Sequence, residues 1–410
     1  MTSTRDIVQK LWSLCHVLRN DGVTYHQYVT ELSYILFVKM AKETGQQRQL
    51  PKGLRWDDLR AREGGEQLEF YRELLVELGR RGSSRVRAIY ADAATVIRQP
   101  DSLAKLVRSI DDIDWFSARH DGFGDLYEGL LEKNATETKR GAGQYFTPRP
   151  LIEAIVDVIA PRPGELIQDP AAGTGGFLIA AHRYIREHHP LSEREQRFLR
   201  REALVGIELV QDVHRLTMMN LALHGIESQV RLGDALSPDG AALPKADVIL
   251  SNPPFGSKGA GGRPTRDDLR HSTSNKQLAF VEHVIRGLKP GGRAAVVVPD
   301  NVLFEDGVGR DIRRDLLEMC DLHTILRLPT GIFYAQGVNT NVLLFTRGET
   351  DAGNTEQVWF YDMRTNAPSF GKRTPLTRAH FDEFVAWYRE REHRDQQDTG
   401  RSRCYDREAI

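Results

Sequence analysis

The run DPAAGTGG at 169–176 constrains the fold of this 410-residue chain more than any other segment. Glycine tolerates backbone conformations and close approaches that a Cβ forbids, so glycines packed between an apolar run and a helical stretch mark a turn shaped around a ligand. The apolar run before them is LIQD at 166–169. ALVGIE at 203–208, DVILS at 247–251 and AAVVVP at 294–299 follow at intervals, and each reads as a buried strand. Around them, 151–159, 177–188, 212–224 and 277–288 carry apolar residues at helical spacing. This alternation predicts a doubly wound α/β domain with a mainly parallel sheet, in which ligands bind at the carboxyl ends of the strands. Residues 324–328, 341–346 and 358–361 can add late strands. Beyond Gly348 the text is otherwise polar, with one amphipathic stretch around Phe381, Phe384 and Trp387 and an unpatterned end from Arg389 to Ile410.

The amino-terminal third has a different grammar. Ile7, Leu11, Leu14 and Leu18 share a helical face, as do Val29, Leu32, Ile35, Leu36 and Met40, and then Leu68, Tyr71, Leu75 and Leu78. Gly22, Gly79 and Gly82 supply the breaks. Cys15, His16 and His26 fall among core-like positions and are read as structural. The expected organisation is an all-α domain over 1–135, an α/β domain over 136–348 and a carboxyl-terminal extension over 349–410. The formal net charge of −1 excludes a bulk polycation, so any nucleic-acid binding must use local basic patches or a partner. Three scattered cysteines without a CxxC pair argue against a disulfide framework or zinc ribbon, and no metal site is expected. Without a leader-like start or a long apolar run, the expected location is the cytoplasm.

The glycine turn is not a dinucleotide fingerprint, which wants G-x-G-x-x-G and an acid about 20 positions on. Here Gly173, Gly175 and Gly176 are differently spaced, and Glu208 comes later. Glu208, at the next strand end, suits the vicinal hydroxyls of a ribose, because a carboxylate only accepts hydrogen bonds. Asp234 with Ala235, one strand further, could take an exocyclic amine. Each acid alone is as well explained as a cap or a solvated loop residue; their arrival at successive strand ends favours a ligand. Upstream, GQYFTP at 143–148 opens a helix, with Thr147 as a candidate cap and Pro148 or Pro150 suited to its first turn.

NPPF at 252–255 follows the strand 247–251, again at the carboxyl edge. Two prolines remove two backbone donors and stiffen the loop. The Asn252 side-chain oxygen and the Pro253 carbonyl can then accept from one planar amino group, while Pro254 stiffens the turn and Phe255 offers a stacking face. A rigid Asn-Pro turn is the plain alternative. Basic residues Lys258, Arg263, Arg266, Arg310, Arg313 and Arg314 are candidates for phosphate contacts, set against a merely solvated face.

In this order the two motifs resemble those of adenine-N6 DNA methyltransferases that use S-adenosylmethionine. More of the chain resembles one family, the modification subunits of type I restriction–modification systems. TSNKQLAF (273–280), LKPGGR (288–293), VPDNVLF (298–304), VGRDIRR (308–314) and LPTGIFYAQG (328–337) carry the likeness, and Ala172 departs from it where many relatives have cysteine. The resemblance implies a methyltransferase-type sheet behind a helical domain. It also implies S-adenosylmethionine held by Gln144, Tyr145, Phe146, Thr147, Asp169, Ala171, Gly173, Thr174, Gly175, Gly176, Glu208, Asp234 and Ala235, with catalysis by Asn252, Pro253, Pro254 and Phe255. Implied partners are DNA, a specificity subunit, a second copy of this chain and a restriction subunit. Relatives usually run on into a helical tail that docks on the specificity subunit, whereas this chain ends at Ile410, soon after Gly348. The alternatives are a protein glutamine-N5 methyltransferase, which shares the Asn-Pro-Pro-aromatic chemistry, and a catalytically silent assembly subunit. The amino-terminal helices and the stretches after Gly291 separate the DNA enzyme from the first, and the intact 252–255 run speaks against the second.

Overall fold

The computed structural model describes residues 4–19, 22–115, 123–137, 146–228, 230–256, 264–333, 338–368, 370–371, 374–390 and 400–410. The chain divides into two compact units, Met1–Phe146 with Gln211–Ile226, and Thr147–Val210 with Glu227–Ile410.

The first unit is helical: α1 (Thr4–Ser13), α2 (Cys15–Arg19), α3 (Tyr25–Glu43), α4 (Trp56–Arg60), α5 (Gly64–Arg81), α6 (Ser84–Ile89), α7 (Pro100–Asp111) and α8 (Phe123–Glu137). Helix α3 starts at a capping box in which Thr24 and Gln27 satisfy each other's backbone N–H groups. Leu32, Ile35, Leu36 and Met40 are buried along it, as the spacing predicts. Cys15 is buried too, but His16 is exposed and is no core residue. One helix of this unit comes from far along the chain: Gln211–Leu223. Its Arg215 donates from Nε to the Ile89 carbonyl (2.8 Å) and from Nη2 to the Ala91 carbonyl (2.6 Å), while Nη1 pairs with Asp212 (2.6 Å). Val213, Leu216, Met218, Met219 and Leu221 are buried on the same helix. The sequence predicts this helix correctly but cannot say which unit it joins.

The second unit is built on one nine-stranded sheet: β1 (Ile167–Asp169), β2 (Leu204–Glu208), β3 (Val230–Leu232), β4 (Ala246–Ser251), β5 (Leu288–Pro299), β6 (Cys320–Arg327), β7 (Thr340–Arg347), β8 (Gln357–Asp362) and β9 (Ser402–Asp406). The order is β3-β2-β1-β4-β5-β7-β6-β8-β9. Strands β1 to β5 pair in parallel; β7 runs antiparallel to both its neighbours, and β9 antiparallel to β8. The order reverses between β1 and β4, so connections leave these two carboxyl ends in opposite directions and open a crevice there. The sheet core is mainly aliphatic, with Ile249, Val281, Val284, Val296, Val298 and Leu343 in one buried cluster that also holds Phe345. Each such side chain contributes about 1.5–3 kcal/mol by leaving water.

Residues after Gly348 continue this same sheet. Helix Asp382–Glu390 lays Trp387 and Phe384 against Tyr361, with ring centroids 4.9 and 5.2 Å away. The end read as unpatterned includes β9, registered with Trp359 opposite Cys404. Strand β5 also begins earlier than the apolar run suggests, at Leu288, with a register shift against β4.

Candidate active site

The glycine turn is held by two carboxylates. Asp169, at the end of β1, accepts from the Ala171 N–H at Oδ1 (3.0 Å). Glu208, at the end of β2, accepts from the Gly173 N–H at Oε2 (3.0 Å) and from the Val210 N–H at Oε1 (2.8 Å). Gly173 and Gly175 lie at φ +52° and +84°, in the left-handed region that side chains avoid. The turn closes through Ala172 N–H to the Ile207 carbonyl (3.0 Å) and Gly175 N–H to the Ala172 carbonyl (2.8 Å). Helix Gly176–His188 starts there, with Gly175 as its cap and so no side-chain cap bond. Gly176 answers to packing, because a Cβ would come within 2.7 Å of Ile152 Cδ1. Thr174 is half-buried beside it, and Ala171 packs on the small cluster of Ile207, Ala235, Leu236, Ala279 and Phe280.

Both acids are buried, and burial raises both pKa values. For Asp169 the value is pushed up to about 7, chiefly by loss of water. The Ala171 N–H and the Ser251 hydroxyl oppose this, and the charge of Glu208 adds to it. For Glu208 desolvation is again the largest cause, opposed by the backbone N–H groups of Val210, Gly173 and Leu209.

Past β3, Asp234 accepts the Leu236 N–H at Oδ1 (2.8 Å), and its carbonyl accepts from the Ser237 N–H (3.0 Å) and Oγ (2.8 Å). The half-buried Asp234 thus shapes its own turn. Ala235 is buried next to it.

The catalytic candidates follow β4. Ser251 Oγ donates to Asp169 Oδ1 (2.8 Å), tying the end of β4 to the end of β1 across the switch point. Asn252 Nδ2 donates to Thr147 Oγ1 (3.0 Å). That bond aims the amide, and Asn252 Oδ1 is buried with no hydrogen-bond partner among the described residues. A buried acceptor left so costs about 1–3 kcal/mol, a deficit that a donor from a bound molecule would remove. Pro253 is buried, Pro254 exposed and Phe255 half-buried. Thr147 is therefore not the helix cap suggested by the sequence. Helix Arg149–Ile159 has Pro148 at its cap with no side-chain bond, and the Thr147 hydroxyl serves Asn252.

Residues the sequence reading did not single out brace this loop from behind. Gln277 Oε1 accepts the Gly256 N–H (2.9 Å), and the Gly256 carbonyl accepts the Lys276 N–H (3.0 Å). Gln277 Nε2 donates to Asn301 Oδ1 (3.3 Å), while Asn301 and Asn275 both donate to Glu305 Oε2 (2.9 and 2.8 Å). A glutamine buried on an apolar helix face was the available signal.

Gln144 and Tyr145 lie outside the described residues, as do Lys258 and Arg263; Phe146 is half-buried. Of the basic candidates, Arg266 is buried and bound to protein groups, so it is no phosphate contact. Arg313 donates to the Val302 and Glu305 carbonyls and is structural as well. Arg310 and Arg314 are exposed, paired with Asp306 and Asp311.

The sheet order, the reversed strand β7 inserted between β5 and β6, and acids and an Asn-Pro-Pro-Phe loop at neighbouring strand ends define a methyltransferase-type α/β domain. Comparison with known proteins makes this specific. The N-6 DNA Methylase family matches residues 118–406. The chain is 54% identical to the type I restriction enzyme StySPI methylase subunit of Salmonella potsdam, over 95% of this chain and 77% of that one. It is likewise 54% identical to the EcoKI methylase subunit of Escherichia coli K12, with the same coverage. Among solved structures, the crystal structure of the EcoKI M protein matches at 46% identity and a TM-score of 0.60, covering 99% of this chain and 87% of that one. A modification subunit of a putative type I restriction enzyme from Vibrio vulnificus matches at 25% identity and a TM-score of 0.80, covering 100% and 94%. The chain belongs to the N-6 DNA methylase family and, within it, to the methylase subunits of type I restriction enzymes, as an adenine-specific DNA methyltransferase. Among the described residues, no helix is long and apolar enough to cross a membrane.

Proposed function

We propose that this subunit uses S-adenosylmethionine to methylate N6 of an adenine turned out of duplex DNA, at the crevice between β1 and β4. The observation that carries the residue assignment is Asn252 Oδ1, a buried acceptor aimed by Thr147 and lacking a donor among the described residues. The chemistry of the donor set fits the cofactor. Glycines at positive φ let backbone approach it, and Glu208 keeps acceptor capacity beyond its loop contacts for a ribose diol. Phe146, Thr147, Asp169, Ala171, Gly173, Thr174, Gly175 and Gly176 would line the methionine and sugar, with Gln144 and Tyr145 just upstream, and Asp234 and Ala235 the base.

S-adenosylmethionine, when bound, supplies a methyl group on a positively charged sulfur with a good leaving group. The protein's work is to make N6 nucleophilic and to align it. The N6 lone pair is delocalised into the adenine ring. Asn252 Oδ1 and the Pro253 carbonyl accept its two hydrogens, favouring a pyramidal nitrogen with a localised lone pair, which stabilises the transition state more than the ground state. Pro254 keeps the loop from relaxing, and Phe255 stacks on the extruded base for about 1–3 kcal/mol. One N6 proton leaves to solvent after transfer, so no strong base is needed. Asp169 acts through Ser251, locking the cofactor turn to the catalytic loop.

A net charge of −1 and the kinship with restriction-enzyme subunits support delegated sequence reading. A specificity subunit would choose the site, with a second copy of this chain and a restriction subunit joining it in the cytoplasm. The test is tritiated methyl transfer by the chain assembled with its specificity partner. Asn252→Ala should hold the KM for cofactor and lower kcat by about 10²–10³-fold, the effect of removing one preorganised hydrogen-bonding group. Near-normal turnover would refute the assignment. Efficient methylation of one defined sequence by the isolated chain would refute delegation.

A further inference from the structure

After the catalytic loop the chain returns to the cofactor side of the sheet. Its Thr265 N–H donates to the Leu236 carbonyl (2.9 Å), and Arg266 Nη1 donates to the Ala235 carbonyl (2.9 Å). The guanidinium is buried at 8% exposure, next to the apolar cluster of Ile207, Ala235, Leu236 and Phe280. Three more of its N–H groups are engaged as well. Nε bonds Asp268 Oδ1 (2.7 Å), Nη2 bonds Asp268 Oδ2, and Nη1 also meets His283 Nδ1. Since arginine only donates, His283 Nδ1 accepts, and the neutral ring's Nε2–H is left to donate to Gln168 Oε1 (3.2 Å). Gln168, in β1, donates onward to the Pro244 carbonyl (2.8 Å). A buried cation is costly wherever an apolar side chain would fill the space, and this one, paired with Asp268, is directed at the Ala235 carbonyl and His283.

We infer that Arg266 is a positioning residue for the nucleoside end of the cofactor, fixing the Asp234–Ala235 turn to β1 through His283 and Gln168. The inference rests on the proposed cofactor site. The turn is held by the Asp234 side chain on Leu236 N–H, by Ser237 and Thr265 on the Asp234 and Leu236 carbonyls, and by the Arg266 guanidinium on the Ala235 carbonyl. Losing the guanidinium leaves the Ala235–Leu236 peptide unit, which would face the base, held at its N–H by Asp234 but no longer at its carbonyl by Arg266, while the catalytic loop keeps its own braces at Thr147, Ser251 and Gln277. The damage should therefore fall on nucleoside affinity and not on the chemical step.

The experiment uses this chain, residues 1–410, with its specificity partner. Calorimetry with S-adenosylhomocysteine and with adenosine, and steady-state methyl transfer, compare wild type with Arg266→Met, Arg266→Lys and Asp268→Asn. Arg266→Met should weaken both ligands by about tenfold, the size of one lost hydrogen bond of ordinary strength. KM for the cofactor should rise by the same factor and kcat change little. Arg266→Lys, which restores one donor, should recover part of the loss. Asp268 is half-exposed and orients the guanidinium, so Asp268→Asn should give a smaller loss of the same kind in a folded protein, which keeps the test open should Arg266→Met not fold. Unchanged affinity in folded Arg266→Met or Asp268→Asn would overturn the inference. So would a loss confined to kcat, or a loss for S-adenosylhomocysteine but not for adenosine. Failure of the wild type to bind S-adenosylhomocysteine would instead refute the cofactor site itself.

Discussion

Glu208→Gln is the sharpest perturbation of the proposed cofactor site, because it keeps shape and exchanges one acceptor for a donor. The two oxygens of Glu208 accept from different backbone groups, Gly173 N–H on one side and Val210 N–H on the other. Whichever way the glutamine amide turns, its NH2 faces a backbone N–H, and one of these bonds is lost. A hydrogen bond to a charged group is worth about 1.5–3 kcal/mol, so the turn loosens by that amount. On the proposed reading a bond from a ribose hydroxyl to the carboxylate would weaken with it. Affinity for S-adenosylmethionine should fall about 10–150-fold. Calorimetry with S-adenosylmethionine and with a 2′-deoxy analogue of S-adenosylhomocysteine separates the two contributions. The analogue should already bind the wild type weakly and lose less on the substitution. Glu208→Gln binding S-adenosylmethionine within twofold of wild type would refute the reasoning, as would an equal loss for the deoxy analogue.

Two further outcomes follow from buried groups. Burial lowers the His283 pKa to about 3, with the Arg266 charge acting the same way, so its contribution to stability is complete above about pH 6.5 and is lost as pH falls toward 3. Asp169 works in the opposite sense: its pKa of about 7 means a contribution present below about pH 4 and lost as pH rises through 7. Between pH 4 and 6.5 the two slopes, each about 1.4 kcal/mol per pH unit at most, oppose one another. Denaturant midpoints for Asp169→Asn should fall toward acid more steeply than for wild type in that window, and parallel curves would refute the assignment. Gly206→Ala should cost about 1–3 kcal/mol in the same assay, because its Cβ would sit 2.9 Å from the Asp169 carbonyl oxygen. An unchanged midpoint would mean that the β1–β2 contact is slack.

What could be read from the sequence is what glycine, proline and periodicity encode locally. The turn at 169–176 and the loop at 252–255 declare their backbone shapes, and the apolar runs between them declare a parallel sheet with those motifs at its carboxyl edge. Partners distant along the chain are not encoded that way. Thr147 next to Pro148 reads as a helix cap, and only the fold brings Asn252 to its hydroxyl. Arg266 reads as surface because arginine is seldom buried, yet its acceptors Ala235 and His283 come from either side of it in sequence. Helix 211–223 shows an apolar face without showing which unit covers it. Strand β9 has only Ser402 buried, so no alternation betrays it; its place at the sheet edge comes from backbone pairing to β8.

The two buried acids also bear on turnover. Asp169 and Glu208 spend oxygens on loop N–H groups, and the Glu208 charge helps push Asp169 toward its protonated form. Carboxylates arranged so are poorly compensated until a cation arrives, and a nearby positive charge favours their ionised forms. On the proposed reading the methyl donor brings such a charge on its sulfur, and S-adenosylhomocysteine does not. On that reading the same pair of acids would hold the spent product less firmly than the donor. Burial raises both pKa values in the free protein, and on the proposed reading a positive charge bound nearby would favour the ionised forms, which the uncharged product would not do.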